Sequence, residues 1–349
     1  MKVATNVISG RQRAAYDWFK QRERELEAKA AANAGKLERH NWWRYQYYKF
    51  PYLVLETPAA IEERFIDVFA NVTDLSTDGK IVPDPMLAND GWFGHMFTEL
   101  IEETNWRGLL TKDLNTAAVA PIAAYFQGGT PLGVRMFGQR QSLGGHGLVK
   151  YSKRQFVEEM YRFGRFRISP ASYYAKGSHL KAVKDFETLR NYKIPALNEV
   201  MRGETEVEVS GMKMRITNGV IPLELQMVDY YLFSTCKDID RRLPTDFDAD
   251  AALVVSDRRQ FIERLGQAML RRFPKWEFLS AEVQYYDPYM HIPKDRNQEL
   301  WKQFSYAYQR EHRCVLRPKI TVHDGSELDA FYVEIGSLED ISEMVAAPV

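Results

Sequence analysis

Apolar residues recur at helical spacing in several stretches of the first hundred positions. From Arg11 to Lys36 the chain is rich in helix formers, Tyr16, Phe19 and Leu26 fall near one face, and Gly35 supplies a stop. From Thr57 to Asp74 the residues Ile61, Phe65, Val68 and Phe69 keep the same spacing. They follow Thr57 and Pro58, a hydroxyl where an N-cap belongs and a proline where the first turn tolerates one. A third helix is expected from Gly91 to Glu103, after a loop-like stretch from Leu75 to Asn89 with Pro83 and Pro85. Arg39 to Tyr52 reads differently. Trp42, Trp43, Tyr45, Tyr47, Tyr48, Phe50 and Tyr52 crowd among Arg39, Arg44 and Lys49, and this β-propensity predicts a strand.

Beyond Ala117 the pattern loosens into a glycine-rich, irregular stretch that runs to Leu148, and a domain boundary is placed here, between 1–150 and 151–349. A helical start, SKRQFVEEMYRF, then meets Gly164 and the alternating segment RFRIS, with Phe166 and Ile168 on one side and Arg165 and Arg167 on the other. Lys181 to Arg190 reads as a short helix or polar turn, and Thr205 to Ile221 as a hairpin turning at its glycine. Val228 to Cys236 is a β segment. After an acidic loop, Asp238 to Asp250, come the strand ALVVS and a helix from Asp257 to Arg272 that buries Phe261, Leu265, Ala268 and Met269. A strand around Glu282 to Tyr286, a helix from Asn297 to Tyr308, a strand from His312 to Leu316 and a last strand at FYVEIG complete the series. Strands and helices alternate irregularly, so the expected class is α+β, a helical N-terminal region followed by a mixed β-sheet.

Composition narrows the function classes. The 349 residues suffice to bury about three quarters of the unfolded surface without staples. Lys plus Arg and Asp plus Glu are both 47, so the overall basic field of a non-specific nucleic-acid binder is missing. Two cysteines, Cys236 and Cys314, make neither a disulfide framework nor a zinc pattern. No leader segment or membrane span is legible, and a cytoplasmic location without membrane contact is expected.

Several segments offer candidate chemistry. Alternating aromatic and basic residues can stack bases and hold phosphates, which makes Arg39, Trp42, Trp43, Arg44 and Lys49 candidate contacts to nucleic acid or another target; an aromatic strand packed on the fold is the simpler alternative. The run LGGHG around His146 resembles no complete phosphate-loop pattern. Asp238, Asp240, Asp246, Asp248 and Asp250 could hold Mg²⁺ in a metal-dependent nuclease, but solvated charge is the plainer reading, and no metal is predicted. His40, His95, His146, His179, His291, His312 and His323 form no zinc-hydrolase pair.

The order of the second half resembles a bacterial domain of unknown function whose members look like ADP-ribosyltransferases of the Arg-Ser-Glu type. The matching segments are Met160–Tyr174, Asp229–Asp238, Ala252–Leu265, Val283–Pro288, Leu300–Leu316 and Phe331–Gly336, and the region they span is about half of the chain. Residues 1–150 match nothing named. The resemblance implies an ADP-ribosyltransferase-like fold and an NAD-dependent transferase of the glycosyltransferase class. Such an enzyme modifies a macromolecule, RNA, DNA or protein, and the resemblance extends to a toxin or antiphage effector silenced by an inhibitory partner protein. It implies NAD as substrate, Arg162 or Arg165 on the dinucleotide, Ser234 with Thr235 organising the pocket, Tyr173 and Tyr174 stacking on a ring, and Glu311 acting on the ribose. Gln309, two residues earlier, stands where such enzymes select the acceptor. The physical grounds are general ones: an arginine fork suits pyrophosphate, and a carboxylate stabilises positive charge developing at an anomeric carbon. The alternative on the same fold is a non-catalytic module that binds nucleic acid or protein. Glu311 and Arg313 would share a strand face and could simply pair.

Overall fold

The computed structural model describes residues 8–84, 91–176, 180, 182, 186–209, 211–290, 292–293, 296–319 and 327–348. Among the described residues six α-helices precede the main sheet: α1 (Gly10–Ala32), α2 (Arg39–Lys49), α3 (Pro58–Asn71), α4 (Gly91–Arg107), α5 (Lys112–Ala124) and α6 (Leu132–Phe137), with the small antiparallel pair β1 (Thr73–Leu75) and β2 (Ile81–Pro83) after α3. Local signals account for their starts. The Ser9 hydroxyl accepts from the Gln12 amide while Gln12 reaches back to the Ser9 amide, and Thr57 accepts from the Ala60 amide ahead of Pro58.

The aromatic segment expected as a strand is α2. Its β-propensity reflects a liking for half-buried surfaces, and here α1 and α4 supply that surface to a helix. Tyr47 and Tyr48 pack on Phe19 with ring centres 5.2 and 5.6 Å apart, and their hydroxyls donate to Glu103 and Glu102 of α4, each at 2.5 Å. Gly94 of α4 admits the Trp43 ring, which would lie 2.5 Å from a Cβ at that position. The stretch from Ala117 to Leu148, expected to be irregular, carries the end of α5 and all of α6. Thr111 caps α5, and Pro121 is accommodated on its exposed side.

The main sheet has the strand order β11 (Trp276–Glu282), β14 (Glu311–Pro318), β9 (Tyr231–Cys236), β3 (Leu148–Ser152), β10 (Ala251–Val255), β16 (Ser342–Ala346). Two further strands, β4 (Arg165–Pro170) and β15 (Phe331–Glu334), join it through β9. All of these pairings are antiparallel; among the described residues the one parallel pair, β12 (Gln284–Tyr286) with β13 (Trp301–Gln303), lies outside the main sheet. The fold is α+β. Strand alternation feeds two cores. Leu253 and Val255 face α7 (Arg154–Phe163) and α10 (Arg258–Arg272) with Val157, Phe261 and Leu265, whereas Ala252 and Val254 face Met136 and Phe137 of α6. Gly164, at φ +60°, ends α7 and lies so close to the Gly336 carbonyl that a Cβ would collide.

The remaining elements are β5 (Leu189–Pro195) paired with β8 (Val220–Gln226), the expected hairpin β6 (Glu206–Val209) and β7 (Met212–Arg215), and the short helices α8 (Leu197–Met201) and α9 (Leu243–Asp246). Of Lys181 to Arg190, residues 181 and 183–185 lie outside the described residues; Glu187 and Thr188 form a turn, and Leu189 and Arg190 begin β5. The helix expected from Asn297 to Tyr308 is instead two 3₁₀ turns flanking β13, because Trp301–Gln303 supply the ladder partners of β12 and the Lys302 side chain is drawn into a buried charge cluster. Position 150, the expected boundary, falls inside β3. The helical core also takes in Ile221, Tyr289 and Phe304, and the buried Arg64 of α3 pairs with Asp287 at 2.5 Å.

Candidate functional site at a split in the sheet

β9 has β14 along one side and two different neighbours along the other. β3 meets it at Cys236, β4 meets it at Leu232 and Tyr231, and Ser234 lies between those two pairings. A cleft of about 280 Å³ opens at this split, lined by β3, by Ser234 and Thr235, and by Tyr174, Lys302, Gln309 and Glu311.

Register explains why the serine and glutamate meet. Opposite β9, Arg313 pairs with Ser234 and Glu311 with Cys236, so the Ser234 hydroxyl is placed to donate to Glu311 Oε1 at 2.5 Å. Arg313 Nε donates to the same oxygen at 2.8 Å and its terminal nitrogen to Glu187 at 2.6 Å. Lys302 Nζ donates to Glu311 Oε2 at 3.1 Å and to the side-chain oxygen Oε1 of Gln309 at 3.2 Å. The Tyr285 hydroxyl accepts from the Glu311 amide at 2.9 Å, and the Gln309 amide group donates to the Ala182 carbonyl.

The electrostatics follow. Burial alone would raise the pKa of Glu311, but the charges of Arg313 and Lys302, with the hydrogen bonds from Arg313 and Ser234, hold its carboxyl well below the usual range. Glu187 is likewise lowered: burial is outweighed by Arg313, Lys302 and Arg190. Burial pushes the Cys236 thiol up, raises Tyr174 to about 12 and lowers Lys150. The cleft therefore presents an ionised glutamate clamped by cations, beside a protonated thiol and a protonated phenol.

Of the residues singled out in the sequence, Ser234, Thr235, Gln309, Glu311 and Tyr174 line the cleft. Tyr173 is not in the lining; it packs edge-on against Tyr174 and beneath the Arg167 guanidinium at 4.6 Å. Arg162 and Arg165 are exposed at the α7–β4 corner, outside the lining, and Arg165 stacks on Tyr332 at 4.6 Å. On α2, Arg44 pairs with Glu102 at 2.7 Å and Arg39 stacks on Trp43 at 4.7 Å, while Arg39, Trp42 and Lys49 are exposed. The acidic loop disperses its carboxylates. Asp238 accepts from Ser142 and the Leu143 amide of the LGGHG run, Asp246 from Tyr125, Asp250 from the Arg154 amide, and Asp248 pairs with Lys153. Asp240 accepts from the Arg242 amide. Among the described residues no group of three or more His, Cys, Asp or Glu is placed to hold a metal ion; His179, His291 and His323 lie outside them. No helix among them is long and apolar enough to cross a membrane.

Sequence reasoning missed Lys150, Lys302 and Glu187. A signal for Lys150 was available, since LVKYS interrupts an apolar strand with a charge, whereas Lys302 was hidden by reading its segment as a helix. No protein-family model matches the chain, and comparison with curated proteins and with solved structures finds no match.

Proposed function

We propose that the split cleft is the site of an NAD-dependent ADP-ribosyl transfer to a macromolecule, with Glu311 as the catalytic carboxylate. The observation that carries this reading is the Ser234–Glu311 hydrogen bond at the cleft, with Gln309 and Tyr174 in the same lining. In the reaction the bond from the nicotinamide nitrogen to the ribose breaks, nicotinamide leaves with its electron pair, and an acceptor nucleophile takes the anomeric carbon and gives up a proton. Glu311, ionised, accepts a hydrogen bond from the ribose 2′-hydroxyl and offsets positive charge developing on the sugar, an effect on the order of 3 kcal/mol for a well-placed group. Ser234 aims the carboxylate and Gln309 faces the acceptor. The exposed Arg39, Trp42 and Lys49 of α2 are the proposed target contacts, RNA or DNA first. A toxin or antiphage role with an inhibitory partner, in the cytoplasm, belongs to the same reading.

One observation favours a non-catalytic binding module on the same fold: Arg313 and Lys302 already neutralise Glu311, which weakens its pull on a cationic sugar. The test is nicotinamide release from NAD by the purified protein, alone and with RNA, DNA or lysate. The expected result is release that falls at least 100-fold in Glu311→Gln and about tenfold in Ser234→Ala, the milder change that leaves the charge cluster intact. No release and no NAD binding under any condition would sink the catalytic reading and leave the binding module.

A further inference from the structure

Among the described residues three lysines line the cleft, and two of them have carboxylate partners. Lys302 pairs with Glu311 at 3.1 Å and Lys153 with Asp248 at 2.7 Å. Among the described residues no carboxylate lies within ion-pair distance of Lys150. Its ammonium donates at 2.8 Å to the Ser234 carbonyl, the backbone oxygen left between the β3 and β4 pairings, and lies 4.8 Å from the centre of the Phe233 ring. A carbonyl and an aromatic face satisfy one donor and part of the field, but neither carries formal charge. Burial disfavours the charged form of this lysine, and the charge of the more distant Glu311 pulls the other way. An anion entering the cleft would supply the missing counter-charge and use the remaining donors.

The walls indicate what the anion is attached to. Tyr151, Tyr174, Leu180, Leu232 and Phe247 offer aromatic and aliphatic surface. At about 280 Å³ the cleft is slightly smaller than the 300–1,000 Å³ usual for ligand sites, so it has room for a phosphate with a sugar or a base, and the rest of any larger ligand would lie outside it.

We propose that the split cleft binds a phosphate monoester of mononucleotide size, with Lys150 as the counter-ion of its phosphate and the aromatic walls against its organic part. This does not depend on NAD chemistry, and it assigns the phosphate to a residue of β3 and not to Arg162 or Arg165.

Isothermal titration of the full chain with AMP, ribose 5-phosphate and adenosine tests it. AMP is expected to bind at least tenfold more tightly than adenosine. Lys150→Met should remove that advantage while leaving adenosine unchanged, and Lys150→Arg should keep most of it. Equal binding of AMP and adenosine, no binding of either phosphate ester, or unchanged AMP affinity in Lys150→Met would each overturn the proposal and leave Lys150 as a cap for the Ser234 carbonyl. Should Lys150→Met fail to fold, the salt dependence of the AMP-to-adenosine ratio in the unaltered protein decides: a ratio that does not fall as ionic strength rises overturns the proposal. Lys150-dependent AMP binding without nicotinamide release sinks the transferase reading alone. Glu311-dependent nicotinamide release without Lys150-dependent AMP binding sinks this inference alone.

Discussion

Glu311 in the split of the sheet and Glu99 in the helical core are both buried, at 5% and 3% exposure, yet they ionise in opposite directions. Glu311 has an arginine and a lysine within hydrogen-bond distance and is held below the ordinary carboxylate range. Glu99 accepts from the Tyr52 hydroxyl at 2.8 Å and has His95 Nε2 at 3.4 Å. The nearby Arg64 directs two of its nitrogens to Asp287, at 3.0 and 2.5 Å. Burial therefore dominates and pushes Glu99 up to about 7, with Arg64 and Tyr52 opposing. The comparison separates two quantities that exposure alone merges: removal from water sets the cost of a charge, and directly bonded cations decide whether the charge persists.

The largest effect that would break this comparison comes from removing a cation. Arg313→Met leaves the buried Glu311 and Glu187 with Lys302 as the one cation they still share, and breaking a buried ion pair by removing one partner costs about 3–5 kcal/mol, read from the denaturant midpoint. A cost below about 1 kcal/mol would mean that Lys302 alone can hold the cluster.

Next comes the pH dependence of Glu99. Its pKa in the folded protein, about 7, lies above the ordinary value of 4.5, so its stabilising contribution is complete below pH 4.5 and is lost as pH rises to 7. Over that window the loss approaches about 3 kcal/mol. Glu311 has the opposite sign: its contribution is present above pH 4.5 and is lost as the pH falls below that value toward its lowered pKa. Stability curves of the parent and Glu99→Gln should therefore diverge between pH 4.5 and 7 and run parallel outside that window; parallel curves throughout would mean that burial does not shift Glu99, and divergence only below pH 4.5 would place it with Glu311. The smallest effect is at the surface of α2, where Trp42→Ala should change stability by about 0.5 kcal/mol or less. The same variant should weaken any stimulation by RNA or DNA, which distinguishes a target contact from packing.

Much of the fold was legible wherever the signal was local. Thr57 and Asp257 cap the helices they precede, the Asp257 carboxylate accepting from the Gln260 amide at 2.9 Å. Gly164 ends α7, and Phe166 and Ile168 are buried while Arg165 and Arg167 are exposed, as alternation required. Within the site, Ser234 and Glu311 were reached through the resemblance and not through spacing. Their contact depends on the register of β9 with β14 across 77 residues of chain, which no local period encodes.

By itself, then, the chain determined element type where the period of apolar residues, a cap or a glycine decided it within one turn, and it determined the α+β class through the irregular alternation of those elements. Tertiary structure decided the rest. It made a helix of the aromatic segment because α1 and α4 offered its tyrosines a buried face and two glutamates. It unwound the segment around Lys302 because β12 needed a partner strand and Glu311 a cation. The cleft exists because β9 exchanges one neighbour for another halfway along its length, and a change of strand partner is a property of non-local pairing that no single segment carries.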